Sequence, residues 1–207
     1  AQQSLSGGTT SLRDLGGRDF LEFAVRDACN SGEQFGPTIR AAGQIICMTG
    51  GHGNQHGRVA DGPDEVVKAV REQIHAGSDV IKLMATGGVM TPGVNPEDAH
   101  YSENELRVGV EEGHRFHRTC ASHAQGSAGI LNAVRAGMDS IEHGIFMTDE
   151  CVELMLSKGT YLVPTLSALL NILVNADQGI PEYVVEKTER IKAVSYTHLT
   201  LPTNREV

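Results

Sequence analysis

The chain has 207 residues, 40% of them hydrophobic and 21% charged, with a formal net charge of −9. That is an ordinary globular mix, long enough to bury a core as one domain. No Lys/Arg block or basic stripe is present, which excludes nucleic acid as a natural partner, and no apolar run approaches the length of a membrane span.

The elements alternate short β-like runs with amphipathic helical runs, the pattern of parallel βαβ units. The first strand is expected at Thr9 to Leu15, followed by a helix over Phe20 to Asn30 that stops at Ser31-Gly32. Pro37 to Ile46 reads as one strand leading into Thr49-Gly50-Gly51-His52-Gly53. Pro63, Asp64 and Glu65 suit the first turn of a helix, with Val66, Val67, Val70 and Ile74 as its apolar stripe and Gly77 as its stop. Val80 to Ala85 is then a strand with Lys82 in its middle. A Gly/Pro-rich loop from Gly87 to Pro96 is long for a βα connection. Ser102-Glu103-Asn104-Glu105 is a capping box opening a helix to about Phe116. Strands follow at Thr119 to His123, Ser140 to His143 and Tyr161 to Leu166, with helices from Ser127 and from Thr148 or Asp149 between them. Glu182 to Lys192 reads as a final helix. From Val194 onward the sequence VSYTHLTLPT resembles a translated sequencing adapter and continues no helical pattern. A barrel domain over 1–193 and a non-native tail over 194–207 are therefore expected.

Six strands with intervening helices fit an incomplete (β/α)8 TIM-type barrel, with a doubly wound open sheet as the competing arrangement. Polar residues at strand C-terminal ends favour the barrel, whose active sites sit at that face. A complete barrel typically needs about 250 residues, so pieces are expected to be missing. The scattered Cys29, Cys47, Cys120 and Cys151 form no C-x-x-C pair and read as free thiols. No signal peptide is visible; a cytoplasmic location is favoured, with a lost leader left open.

Lys82, His123 and His143 share one placement, each on a strand with glycine close behind. One βα repeat separates the two histidines, so adjacent strands would present both imidazoles at one rim, and imidazole suits Zn²⁺ and related ions. A lysine inside an apolar strand is costly unless it is paired or its pKa falls. A neutral amine adds CO₂ to give an anionic carbamate that bridges cations. The bland alternative pairs Lys82 with Asp79 or Glu142. By strand alternation Glu142 should point away from the barrel centre. Arg13 and Asp14 suggest a salt bridge at the rim, and Tyr101 is a weaker candidate for substrate contact.

The segments LRDLGG (12–17), TGGHG (49–53), IKLMATGGVM (81–90), SHAQG (122–126), SIEHG (140–144) and LVPTL (162–166) resemble successive strand ends of the amidohydrolase superfamily, in particular the imidazolonepropionase-like and Xaa-Pro dipeptidase group. The resemblance implies a carboxylated Lys82 on barrel strand four and metal-binding His123 and His143 on strands five and six. It implies a substrate-side, catalytic role for His52. The H-x-H pair of strand one and the Asp of strand eight are not present, so this stretch by itself is expected to have little or no activity.

The full-length parent is expected to hydrolyse an amide or cyclic amide C–N bond, of a dipeptide or imidazolone-like small molecule, by metal-activated water. Two divalent metals, zinc foremost, and the carbamate on Lys82 are the implied cofactors. A homo-oligomer is an expected state of that parent. The alternatives are a deaminase- or decarboxylase-like member of the same fold, or a non-catalytic α/β binding module.

Overall fold

The computed structural model describes residues 1–200. In chain order the elements are α1 (Gln2–Ser6), β1 (Ser11–Asp14), α2 (Leu21–Ser31), β2 (Thr38–Ala41), β3 (Ile46–Cys47), β4 (Arg58–Val59), α3 (Gly62–Ala76), β5 (Val80–Met84), α4 (Glu103–Arg115), β6 (Thr119–Ala124), α5 (Ser127–Arg135), β7 (Ser140–His143), α6 (Asp149–Lys158), β8 (Tyr161–Val163), α7 (Leu166–Val174) and α8 (Glu182–Thr200). Every pairing between these strands is parallel. They form a two-stranded sheet, β1-β2, and a six-stranded sheet in the order β4-β3-β5-β6-β7-β8. The result is an incomplete TIM-type barrel whose wall is not closed.

The run Pro37 to Ile46, expected as one strand, is two. Gly43 adopts φ +80°, a left-handed value that breaks the pleat. The Gln73 side chain of α3 accepts the Gln44 N–H at 2.9 Å in place of a strand partner. Both halves still flank β5: the Asp79 N–H donates to the Ala41 carbonyl at 2.8 Å, and Ile46 pairs with Leu83. The break therefore divides the wall into two sheets, which the Asp79–Ala41 hydrogen bond still holds side by side.

Alternation along β5 sends Ile81 and Leu83 outward to the helices and Lys82 and Met84 inward. The outer core joins Ile81, Leu83 and Ile141 to Val66 and Val70 of α3, Leu106 and Val110 of α4, and Ile130 and Val134 of α5. Helix ends follow local chemistry. Ser102 and Glu105 form the reciprocal capping box, Thr148 accepts the Cys151 N–H, and Gly77 and Gly159 end α3 and α6 in the left-handed conformation. A second, smaller core packs Val89 of the long loop with Ile145, Leu169 of α7, and Val184 and Ile191 of α8.

Three further expectations change. The strand at Tyr161 to Leu166 ends at Val163, and α7 begins at Leu166. Strand β4 was not foreseen, being only two residues long. Helical backbone in α8 runs past the expected helix end at Lys192 to Thr200, because no Gly or Pro occurs between Glu182 and Thr200 to stop it. The rest of the expected tail, 201–207, lies outside the described residues. The four cysteines are free. Among the described residues, no helix is long and apolar enough to cross a membrane.

Candidate active site

The register of β5, β6 and β7 determines which side chains meet. Lys82 pairs with Ala121 and Met84 with His123, while His123 pairs with Glu142. Residues in register on neighbouring strands share a face, so Lys82, His123 and Glu142 all project into the barrel. This corrects the expectation for Glu142, which points inward. The outward position belongs to its neighbour by alternation, and His143 escapes it through its backbone. His143 has φ +77° and Gly144 has φ +61°, a left-handed turn that swings the imidazole back over the strand ends. The His143 ring centroid then lies 4.6 Å from that of His123, edge to face at 69°.

His52 joins from the loop after β3. Its ring lies 4.6 Å from the His123 ring, tilted by 42°. Gly88 makes room for it: a Cβ there would sit 2.4 Å from His52 Nε2. Lys82, His123 and His143 line one cavity of about 280 Å³ with Glu142 and Thr165. A neighbouring cavity of about 520 Å³ is lined by His52, Ile45, Met84, Met90, Thr91 and Tyr183. All four candidate residues named from the sequence are thus gathered at the C-terminal mouth of the strands.

The expected neutralising partners of Lys82 are engaged elsewhere. Asp79 pairs with Arg26 at 3.0 Å and Arg40 at 3.6 Å. Glu142 accepts from Arg13 at 2.8 Å and from Ser140 Oγ at 2.8 Å. Arg13 therefore reaches across the barrel to Glu142, and the Asp14 carboxylate accepts the Gly16 N–H instead. Lys82 is 5% exposed. Burial pulls its ammonium down to about 7, opposed by the Glu142 charge and assisted by that of Arg13. Burial likewise lowers His143 to about 3 and His52 to about 4, and holds His123 well below its ordinary value. All three rings are therefore neutral near pH 7.

Hydrogen bonds at two of the rings leave one nitrogen of each free for other work. His123 Nε2 lies 2.7 Å from the Gly87 carbonyl, which only accepts, so Nε2 carries the proton and Nδ1 keeps its lone pair. His143 engages Thr165 Oγ1 through Nδ1 at 2.5 Å, leaving Nε2 as its other ring nitrogen. A ligating histidine is ordinarily tethered in this way through its second nitrogen. Thr165 itself has φ +49°, so two residues in the left-handed region meet at this contact.

Other polar groups have structural uses. The Tyr101 hydroxyl is buried and donates to the Ala60 carbonyl at 2.7 Å, so Tyr101 does not face the cavity. His114, Cys120 and Asp139 bring their polar atoms within 4.8 Å of one another at the opposite end of the strands. There Asp139 accepts the Cys120 N–H at 2.7 Å and pairs with His114 at 2.8 Å. Burial pushes the Cys120 thiol far up, which keeps it a neutral, poor ligand. The sequence reading missed the Arg13–Glu142 pair and the supports Thr91 and Thr165. Of these, only Thr165 carried a signal, as the one polar side chain within the LVPTL segment.

Fold and site together define an incomplete parallel α/β barrel with a cluster of lysine, histidine and carboxylate groups on its inner face. The chain belongs to the amidohydrolase family, whose model matches residues 1–199. It is 36% identical over 222 aligned residues to ochratoxinase from Aspergillus niger, covering 95% of this chain and 45% of that protein. Among solved structures it resembles a Xaa-Pro dipeptidase with bound methionine, at 34% identity and a TM-score of 0.83, covering 91% of this chain and 50% of that one. It also resembles a prolidase complexed with N-methylphosphonate-L-proline, at 32% identity and a TM-score of 0.89, covering 95% and 52%. The chain thus spans about half the length of these relatives.

Proposed function

We propose that this chain carries the Lys82, His123 and His143 part of a metal centre in an enzyme that hydrolyses an amide C–N bond of a small molecule or dipeptide. The observation that carries the reading is the cavity common to these three residues, where His123 Nδ1 and His143 Nε2 are left over by the bonds to Gly87 and Thr165. A lysine drawn down to about 7 is partly unprotonated near neutral pH, as addition to CO₂ requires. From the neutral amine the new N–C bond forms as one N–H proton leaves to solvent, and an anionic carbamate replaces the amine; from the ammonium form a second proton is released first. Two neutral imidazoles and one carbamate are a donor set that suits zinc. A divalent cation held there supplies Lewis acidity toward an amide carbonyl and a water molecule.

The protein's own groups do the rest. Gly87 and Thr165 orient the two imidazoles. The neutral His52, in van der Waals reach of His123, is a hydrogen-bond donor for the oxygen that gains charge in the transition state. Glu142, which lines the same cavity as Lys82, has its carboxylate tied by Arg13 and Ser140. The relatives' own activities, on ochratoxin and on Xaa-Pro dipeptides as their names state, support an amide substrate.

Zinc titration of the chain in bicarbonate buffer tests this reading, followed calorimetrically and by the carbamate resonance from ¹³C-labelled bicarbonate. Lys82→Met is expected to abolish the carbamate signal and weaken zinc binding by at least about 100-fold, beyond the loss typical of an outer support. Equal zinc affinity in wild type and variant would overturn it. Assays of the complete reading frame on N-acyl amino acids and Xaa-Pro dipeptides then test the reaction.

A further inference from the structure

The long Gly/Pro-rich loop is held by two side chains of α8. Tyr183 Oη donates to the Met90 carbonyl at 3.1 Å. Lys187 Nζ donates to the carbonyls of Thr91 at 2.8 Å and Val94 at 2.7 Å. Both residues belong to α8, which is anchored beside them by the fully buried Val184 packing in one cluster with Val89 of the same loop. A lysine that satisfies two loop carbonyls three residues apart closes the loop as a clamp would, since each backbone acceptor otherwise needs water.

What the clamp holds is Thr91, whose residue is 3% exposed. Its hydroxyl oxygen accepts the Gly53 N–H at 3.1 Å and lies 2.9 Å from His52 Nδ1. The Gly53 N–H can only donate, so in this buried position the hydroxyl's own proton has His52 Nδ1 as its acceptor among the contacts of Thr91 Oγ1. Nδ1 then accepts, so the ring proton sits on Nε2. That is the nitrogen lying over Gly88, beside the His123 ring.

We infer that Thr91 is a positioning residue that fixes His52 as its Nε2–H tautomer and aims that donor at the active-site mouth, and that Tyr183 and Lys187 of α8 hold Thr91 in register. The functional half of this inference rests on the amidohydrolase reading; the tautomer half does not.

Long-range ¹H–¹⁵N correlation on the histidine-labelled chain reads the tautomer, with the His52 signals assigned by their loss in His52→Asn. The wild type is expected to give the Nε2–H pattern. Thr91→Val, which keeps the shape and removes the hydroxyl, should shift the pattern toward a tautomer mixture, and Thr91→Ser should restore it. Lys187→Met should leave the fold intact while amide exchange over 88–94 accelerates by roughly tenfold or more. In the complete enzyme, Thr91→Val should lower kcat by roughly ten- to a hundredfold with KM little changed. An Nδ1–H pattern in the wild type, an unaltered pattern in Thr91→Val, or unchanged loop exchange in Lys187→Met would overturn the inference. A complete enzyme without hydrolase activity, with the tautomer results as expected, would instead sink only the proposed reaction.

Discussion

His52, His123 and His143 are buried as neutral rings beside a Lys82 drawn down to about 7, and this has a measurable cost in acid. Each histidine has a folded pKa below its unfolded value near 6.5. The unfolded chain therefore binds more protons once pH drops below about 6.5. The stability these groups allow is fully present above that value and is lost as pH falls toward about 3. Lys82 works in the next window: between about 7 and 10.5 the unfolded state again holds the extra proton, so stability rises with pH there. For the metal-stripped chain, thermal melts should show Tm falling from pH 6.5 to 4.5 and rising from pH 7 to 9. Lys82→Met should flatten the upper window alone. A melt profile that is flat in both windows would contradict the burial of the cluster. These residues were legible in the sequence because a lysine inside an apolar strand and histidines at strand ends before glycine are local anomalies. Their supports were not, because Thr91 lies in an expected loop and Thr165 in an expected strand, and neither position names its ring partner until the chain brings the two together.

At the level of the element, β7 shows how one turn overrules a strand pattern. Alternation alone would make Glu142 and His143 face opposite ways. The left-handed backbone at His143 and Gly144 brings both toward the barrel. Gly144→Ala is expected to destabilise the chain by about 1–3 kcal/mol through its positive φ, with a further penalty from a Cβ only 2.6 Å from Leu162 Cδ1. Zinc affinity should fall with it if His143 is displaced; chemical denaturation beside zinc titration measures both. Unchanged stability would show that the turn is not constrained. Gly88→Ala tests the neighbouring element in the same manner, since its new methyl must move the His52 ring. Element identity and order were legible from hydrophobic period, caps and glycine stops. The division of Pro37 to Ile46 was not, because it depends on Gln73 of a later helix accepting the Gln44 N–H.

Across the whole molecule, the Arg13–Glu142 pair ties β1 to β7 through the barrel interior, joining residues 129 apart in sequence. Glu142 is 4% exposed. Removing only Arg13 leaves a buried carboxylate without its cation, so Arg13→Met should cost about 3–5 kcal/mol in urea denaturation. The double variant Arg13→Met/Glu142→Leu should recover much of that loss, because neither charge then remains to be desolvated. Strict additivity of the two single variants would refute the tie.

Composition, period and the glycine-flanked motifs determined the parallel barrel class, the family and the four residues at its mouth, since these follow from short-range pattern and from residue types that are costly to place at random. Register, the hand of a single turn and the partner of each ring nitrogen were decided only in the tertiary structure. They are set by groups far away in the chain, and no local preference distinguishes a carboxylate that turns inward to meet an arginine from one that turns outward to water.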